Sequence, residues 1–177
     1  QPFLFNAANM NNDGVINVLD IIGVVNAILG QGTAKIASGK ESEAIFCVQN
    51  NRLISSSTGN IAGYQFKIGG DIKNLDISSD YPLEIITRRV AIDTLFVLAW
   101  CQDKNYIPEG NCPILSFSEN RELTFKDLIV ADIYGRRVNA RFGKPGELLV
   151  PDEFSLAQNF PNPFNSTTII KYTIPKT

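Results

Sequence analysis

Residues 61–70 read IAGYQFKIGG and residues 94–101 read TLFVLAWC. In the first, Tyr64, Phe66 and Ile68 alternate with Gln65 and Lys67, the two-residue period of a strand with one buried face. The second is apolar throughout, which suits a strand in the middle of its sheet. Outward from this pair, the same grammar runs from about Ala44 to Phe142. EAIFCVQ, RLISSS, LEIITRRVAI, PILSFS, RELTFKDLIVADI and RRVNARFG are short runs rich in Ile, Val, Phe, Thr and Tyr. Turn residues punctuate them at Ser57-Thr58-Gly59-Asn60, Gly69-Gly70-Asp71, Ser78-Ser79-Asp80 and Tyr134-Gly135. Many short strands at this spacing predict a mainly β fold, an antiparallel β-sandwich.

With 177 residues and 44% hydrophobic content the chain can bury a real core. It has 16 basic and 18 acidic residues, net charge −2, and no block of like charge, so a nucleic-acid groove is not expected. Arg88-Arg89 and Arg136-Arg137 read as solvated strand ends. No apolar run reaches the ~18 residues that a spanning helix needs. The chain starts at Gln1 without a signal peptide and reads as a processed one.

Histidine is absent, which removes the commonest general base and every imidazole metal site. The carboxylates Asp152-Glu153, and Asp103 with Glu109, read as solvated loop residues, so no catalytic residue and no enzyme is expected. The single tryptophan, Trp100, reads as core. Tyr64, Tyr81, Tyr106 and Tyr134 are the only candidates for a carbohydrate-binding face. Among the three cysteines, Cys47 reads as a buried small hydrophobe. Cys101 and Cys112 stand at the two ends of CQDKNYIPEGNC, where an oxidising compartment would let a disulfide close a hairpin-like loop. The alternative is two thiols.

Before the strands lies NMNNDGVINVLD, residues 9–20. Calcium is a hard cation that takes six or more oxygens, and a twelve-residue loop wraps it with ligands at positions 1, 3, 5, 7, 9 and 12 around a turn-making glycine at 6. Those positions are Asn9, Asn11, Asp13, the carbonyl of Val15, Asn17 and Asp20, with Gly14 at the sixth. The other reading is an Asn/Gly-rich turn with a helix cap. A helix follows, because Val18, Ile21, Ile22, Val25, Ile28 and Leu29 recur at helical spacing. Asn17 can cap it, Asp20 suits its N-terminus and Gly30 stops it. The stripe Val18, Ile22, Val25 and Leu29 has to be buried somewhere. GQGTAKIASGKES then reads as a linker.

Residues 149–177, LVPDEFSLAQNFPNPFNSTTIIKYTIPKT, form a third segment broken by Pro151, Pro161 and Pro163. Its strand-prone run STTIIKYTI has no evident partner. The expected organisation is a half EF-hand over 1–31, a linker over 32–42, the sandwich over 43–148 and an extended tail over 149–177.

Three resemblances rest on these stretches. Asn12-Asp13-Gly14 followed by VINVLDIIGVVNAILG resembles a type I dockerin repeat, which implies Ca2+ held by Asn9, Asn11, Asp13, Asn17 and Asp20. Two departures stand out: Asn9 where the family usually has aspartate, and one repeat where dockerins carry two. GNIAGYQFKIGG, NCPILSFS and LTFKDLIVADIYGRRV resemble a cohesin module over about residues 43–143. That implies a nine-strand jelly-roll-like sandwich with a binding role. PDEFSLAQNFPNPFNSTTIIKYTIP resembles the start of a type IX secretion system C-terminal sorting domain. That implies export to the exterior or cell surface of a Gram-negative bacterium, although such domains run several strands further. The expected function is a secreted structural or adhesion protein that assembles with copies of itself into a filament. The docking residues would be Val18, Ile22, Val25 and Leu29 of the helix and Thr168, Ile169, Ile170, Tyr172 and Ile174 of the tail. The alternative is the scaffolding end of a larger secreted hydrolase, with a cohesin- or dockerin-type partner.

Overall fold

The computed structural model describes residues 5–30, 42–103, 106–118, 122–149, 155–156, 160–165, 167–170 and 172–175. Helices α1 (Phe5–Ala8) and α2 (Val18–Ile28) come first. Nine strands follow among the described residues: β1 (Glu43–Gln49), β2 (Arg52–Ser57), β3 (Ile61–Gly70), β4 (Ile77–Ser79), β5 (Glu84–Ala91), β6 (Thr94–Trp100), β7 (Gly110–Phe117), β8 (Leu123–Asp132) and β9 (Asn139–Phe142). The tail carries β10 (Ser155–Leu156), β11 (Phe160–Asn165), β12 (Thr167–Ile169) and β13 (Tyr172–Thr173).

The chain is mainly β, and two sheets rich in antiparallel pairs form a sandwich. One has the order β4-β7-β2-β1-β9, with a parallel β1–β9 pair; the other has the order β5-β6-β3-β8. The apolar strand β6 is interior, with β5 and β3 on either side. Asn50 and Asn51 join β1 to β2, both with positive φ, the backbone that a two-residue hairpin with right-handed twist demands.

The core lies between the sheets. On β3, Tyr64, Phe66 and Ile68 point inward and are fully buried, as the alternation predicts. They meet Phe46, Leu53, Val97, Ile114, Leu115, Phe117 and Val130. Phe142 binds the layers together, its ring 5.7 Å from Phe66, 5.4 Å from Phe125 and 6.4 Å from Phe46. Such offset and edge-to-face contacts contribute about 0.5–1.5 kcal/mol each beyond the area they bury.

Several expectations need correction. Ser78-Ser79-Asp80 reads as a turn, yet Ile77–Ser79 is a short edge strand on β7. Asp80 fastens its end, accepting the Ser116 hydroxyl at 2.8 Å. Cys101 and Cys112 do not close a hairpin. Cys101 follows β6, its N–H on Ala62 O, while Cys112 pairs with Ser55 in the opposite sheet, so the chain between them crosses the sandwich. Both are thiols, not a disulfide: the Cys112 thiol faces the Pro108 carbonyl at 3.9 Å, and burial pushes the Cys101 thiol up to about 12. Cys47 is buried, as expected. The four tyrosines make no common face, since Tyr64 is in the core and Tyr134 stacks on Arg136 at the β8–β9 turn.

The tail run STTIIKYTI does find partners, within the tail. β12 pairs antiparallel with β11, and β13 with β10. On β11 only Phe160 and Asn165 pair, because Pro161 and Pro163 between them have no N–H to donate. The expected linker falls, for residues 31–41, outside the described residues, as do Asp152 and Glu153.

Candidate functional site

The loop 9–20 and helix α2 form one unit, closed by Asp20. One carboxylate oxygen of Asp20 accepts the N–H of Met10 at 2.7 Å, and the other accepts that of Asn17 at 2.9 Å. The Asn17 side chain accepts the Leu19 N–H at 2.8 Å, which completes a reciprocal capping box at the start of α2. Between these closures Asn11 accepts the Asp13 N–H, and Asp13 accepts the Val15 N–H. These donors, Val15 first and the Asn11 amide next, hold the Asp13 carboxyl below the usual carboxylate range. Gly14 makes the sharp turn with φ +82°.

Both expected readings of the loop therefore share residues. Asn17 and Asp20 act as a helix cap, with Asn17 Oδ1 and both Asp20 carboxylate oxygens accepting backbone N–H groups. Asn9 separates the readings. Its side-chain oxygen is buried without a hydrogen-bond partner among the described residues. A buried amide oxygen left unpaired is costly, and a cation is one way to satisfy it. Asn9, Asn11, the Asp13 carboxylate, the Val15 carbonyl, Asn17 and Asp20 would together offer the mixed oxygen set that a hard cation takes.

Helix α2 lies on the outer face of the four-stranded sheet. Val18, Leu19 and Ile22 are buried there against Ala62 and Ala131, with Leu98, Trp100, Tyr106, Ile129 and Ile133 packed around them. This cluster is separate from the sandwich core. Gly63 makes the seat: a Cβ at that position would lie 2.8 Å from the Val18 methyl and 2.9 Å from the Ala99 carbonyl oxygen. Gly135, with φ +77°, brings the β8–β9 turn against the helix backbone. Polar pins fix the ends. The Val18 N–H donates to Gln65 Oε1 at 2.9 Å, and Asn26 Nδ2 donates to Ile133 O at 3.0 Å. Asp132 holds that turn, taking the Tyr134 and Arg136 N–H groups and the Arg136 guanidinium at 2.7 Å.

The expected helix stripe is therefore only half right. Val18 and Ile22 are buried on the chain's own sandwich, Val25 is half-buried and Leu29 is 41% exposed. Leu19, Asp20 and Asn26 are the other buried residues of α2, and the seat ends after Asn26. Ile170, Tyr172 and Ile174 of the tail are exposed; Thr168 and Ile169 lie in β12, and their side chains lie outside the described residues. Trp100 sits under the helix rather than in the main core. Gln65, Asn26 and Gly63 were not singled out from sequence. The available signal was Ala62-Gly63, two small residues inside a strand, which marks a close approach from outside.

No family model matches the chain, and no curated protein matches it. The solved structures it is similar to include three cohesin chains. One is a non-cellulosomal cohesin from the hyperthermophilic archaeon Archaeoglobus fulgidus, with TM-score 0.40 and 11% identity, covering 58% of this chain and 86% of that one. Another belongs to a type I cohesin–dockerin complex from Clostridium thermocellum, with TM-score 0.37 and 10% identity, covering 62% and 94%. The third is the cohesin module of a family 33 glycoside hydrolase from Clostridium perfringens, with TM-score 0.35 and 12% identity, covering 59% and 100%.

Proposed function

We propose that this chain is a non-catalytic extracellular structural protein whose sandwich carries a docking seat for a calcium-pinned helix, and that copies join when the helix of one occupies the seat of the next. The observation that carries the reading is the separation of the two apolar clusters. The sandwich closes its own core, and α2 is added to a finished outer face. A contact built that way can be made by the same helix from another molecule. Such a head-to-tail contact gives a filament where the rotation from copy to copy does not close a ring.

The unpartnered Asn9 oxygen supports Ca2+ as the ion that fixes the start of the helix. The resemblance of residues 9–29 to a dockerin repeat supports the same ligands. Secretion rests on the resemblance of the tail to a type IX sorting domain. One observation favours the second reading, the accessory end of a larger secreted hydrolase: α2 already fills the seat of its own chain, which would leave a monomer.

Light scattering of the full chain in calcium buffer separates the two. A polydisperse mass many times 19.5 kDa, lost in Gly63→Leu, is the expected result for the assembling protein. A mass of 19.5 kDa at every concentration would leave the accessory reading standing.

A further inference from the structure

Each sheet of a sandwich ends in strands whose outward N–H and C=O groups need protection. Three of the four edges here have it. β4 and β9 are only three and four residues long. The outer side of β8 is bonded to the chain that follows it at its C-terminal end, through the Ala131–Arg137 bridge and the Val138 N–H on Val130 O, and is broken further back by a bulge at Asp127, whose φ is +58°. β5 is different. It has eight residues, no proline, and pairs only with β6 among the described residues. Ile86 and Val90 on it are 52% and 51% exposed.

The register of β5 on β6 assigns its two faces. Ile85 and Thr87 stand opposite Ala99 and Val97, on the core side. Glu84, Ile86 and Arg88 stand opposite Trp100, Leu98 and Phe96, on the outer side. Neither Glu84 nor Arg88 has an ion pair or side-chain hydrogen bond within the chain among the described residues. We propose that β5 is a self-recognition edge, along which two copies of this chain pair antiparallel with Ile86 on the two-fold axis.

The sequence of the strand selects that register. A two-fold normal to the sheet keeps outer residues outer, so the axis passes through a residue. Centred on Ile86, it sets Glu84 of each copy opposite Arg88 of the other, twice, with Ile86 against its own mate between them. Centred on Arg88, it sets the two guanidinium groups together. Centred on Thr87, it leaves Glu84 facing Val90. Centred on Ile85, it leaves Glu84 facing Ile86 and Arg88 without a carboxylate. Opposite charges directly across a pair stabilise it, and like charges destabilise it. The helices do not obstruct the pairing. Strands lie about 4.8 Å apart, so β3 and its mate are about 24 Å apart across six strands, while a helix is only about 10–12 Å wide.

The contact is small, so a weak, concentration-dependent dimer is expected. Sedimentation equilibrium on the full chain carrying Gly63→Leu, which removes the helix-mediated contact, tests it. The expected result is a species of twice 19.5 kDa that grows with concentration. R88E would set four carboxylates across the axis and raise the dimer dissociation constant about tenfold. The double exchange E84R/R88E would restore it. Ile86→Cys should cross-link to its own mate under mild oxidation, and Val90→Cys, displaced from its mate in this register, should not. A monomer at every concentration overturns the proposal and marks Arg88 and Arg89 as guards of a blunted edge. So does a dimer indifferent to R88E, unrescued by the exchange, or cross-linked through Val90→Cys instead. A helix-mediated assembly responds to Gly63→Leu and not to R88E, so the two contacts fail independently.

Discussion

Gly63 is where a missing side chain does most. It stands between Ala62 and Tyr64, and its own absent Cβ is what lets Val18 approach the sheet. Gly63→Ala would place a methyl against the Ala99 carbonyl, which belongs to the backbone and cannot rotate away. Overpacking of this kind costs about 1–3 kcal/mol. The expected outcome is a loss of that size in urea unfolding, with the far-UV spectrum of the sheets retained; an unchanged midpoint would mean the seat is not tight. A second residue acts through charge. Glu147 accepts from Arg141 at 2.7 Å and from the Lys144 N–H at 2.8 Å, and these bonds, Arg141 first, hold its carboxyl at about 2. A depressed folded-state value stabilises above the ordinary carboxylate range and is lost as protons bind. The stability that Glu147 contributes is therefore present above about pH 4.5 and disappears as the pH falls towards about 2. Glu147→Gln should flatten that part of a stability–pH curve and leave the neutral-pH difference from wild type constant; parallel curves for the two proteins would remove Glu147 from the account.

At the scale of the element, the loop and α2 make a test of the proposed cation. Their own bonds already close the loop, through Asp20, and cap the helix, through Asn17. The helix should therefore remain formed without an ion, and the ion should add stability by mass action. Calcium at about a hundred times its dissociation constant adds about 2.7 kcal/mol. For a chain of this length that is a rise in Tm of about 5–10 °C. Asp13→Ala, and separately Asn9→Ala, should abolish the increment in a thermal scan with and without chelator. No calcium-dependent shift in the wild type would take the ion out of the proposal. The elements also differ in how far sequence could foretell them. Arg52–Ser57 and Ile61–Gly70 lie where their pattern puts them, since each is long enough to display a period. Ile77–Ser79 could not be read, because three residues show no period and Ser-Ser-Asp has the composition of a turn. The helical stripe was legible at Val18 and Ile22 but ran past the truth at Val25 and Leu29. Periodicity says which side chains share a face; it does not say where the surface beneath them ends.

For the whole molecule, the division into two apolar clusters implies two units of unequal stability. The sandwich core joins strands distant in sequence and buries most of the large side chains. The helix cluster holds five buried residues on an open face and depends on the loop for its geometry. Regions with few buried contacts open below the global free energy. Trp100 is the single tryptophan, and it packs against the helix cluster, so its fluorescence reports the seat while far-UV dichroism reports the sheets. In saturating calcium the two probes should unfold together in denaturant. With chelator the fluorescence change should come first, at a lower midpoint, as the helix leaves a sandwich that is still folded. Gly63→Ala should separate the two curves further, because it weakens the seat and leaves the core untouched, whereas Phe66→Leu, at the centre of the core, should move the dichroism midpoint most. Coincident curves for the wild type in chelator and for Gly63→Ala would mean that helix and sandwich are one cooperative unit. A helix bound that firmly in its own chain could not be handed to a neighbour, and the assembling reading would give way to the monomeric one.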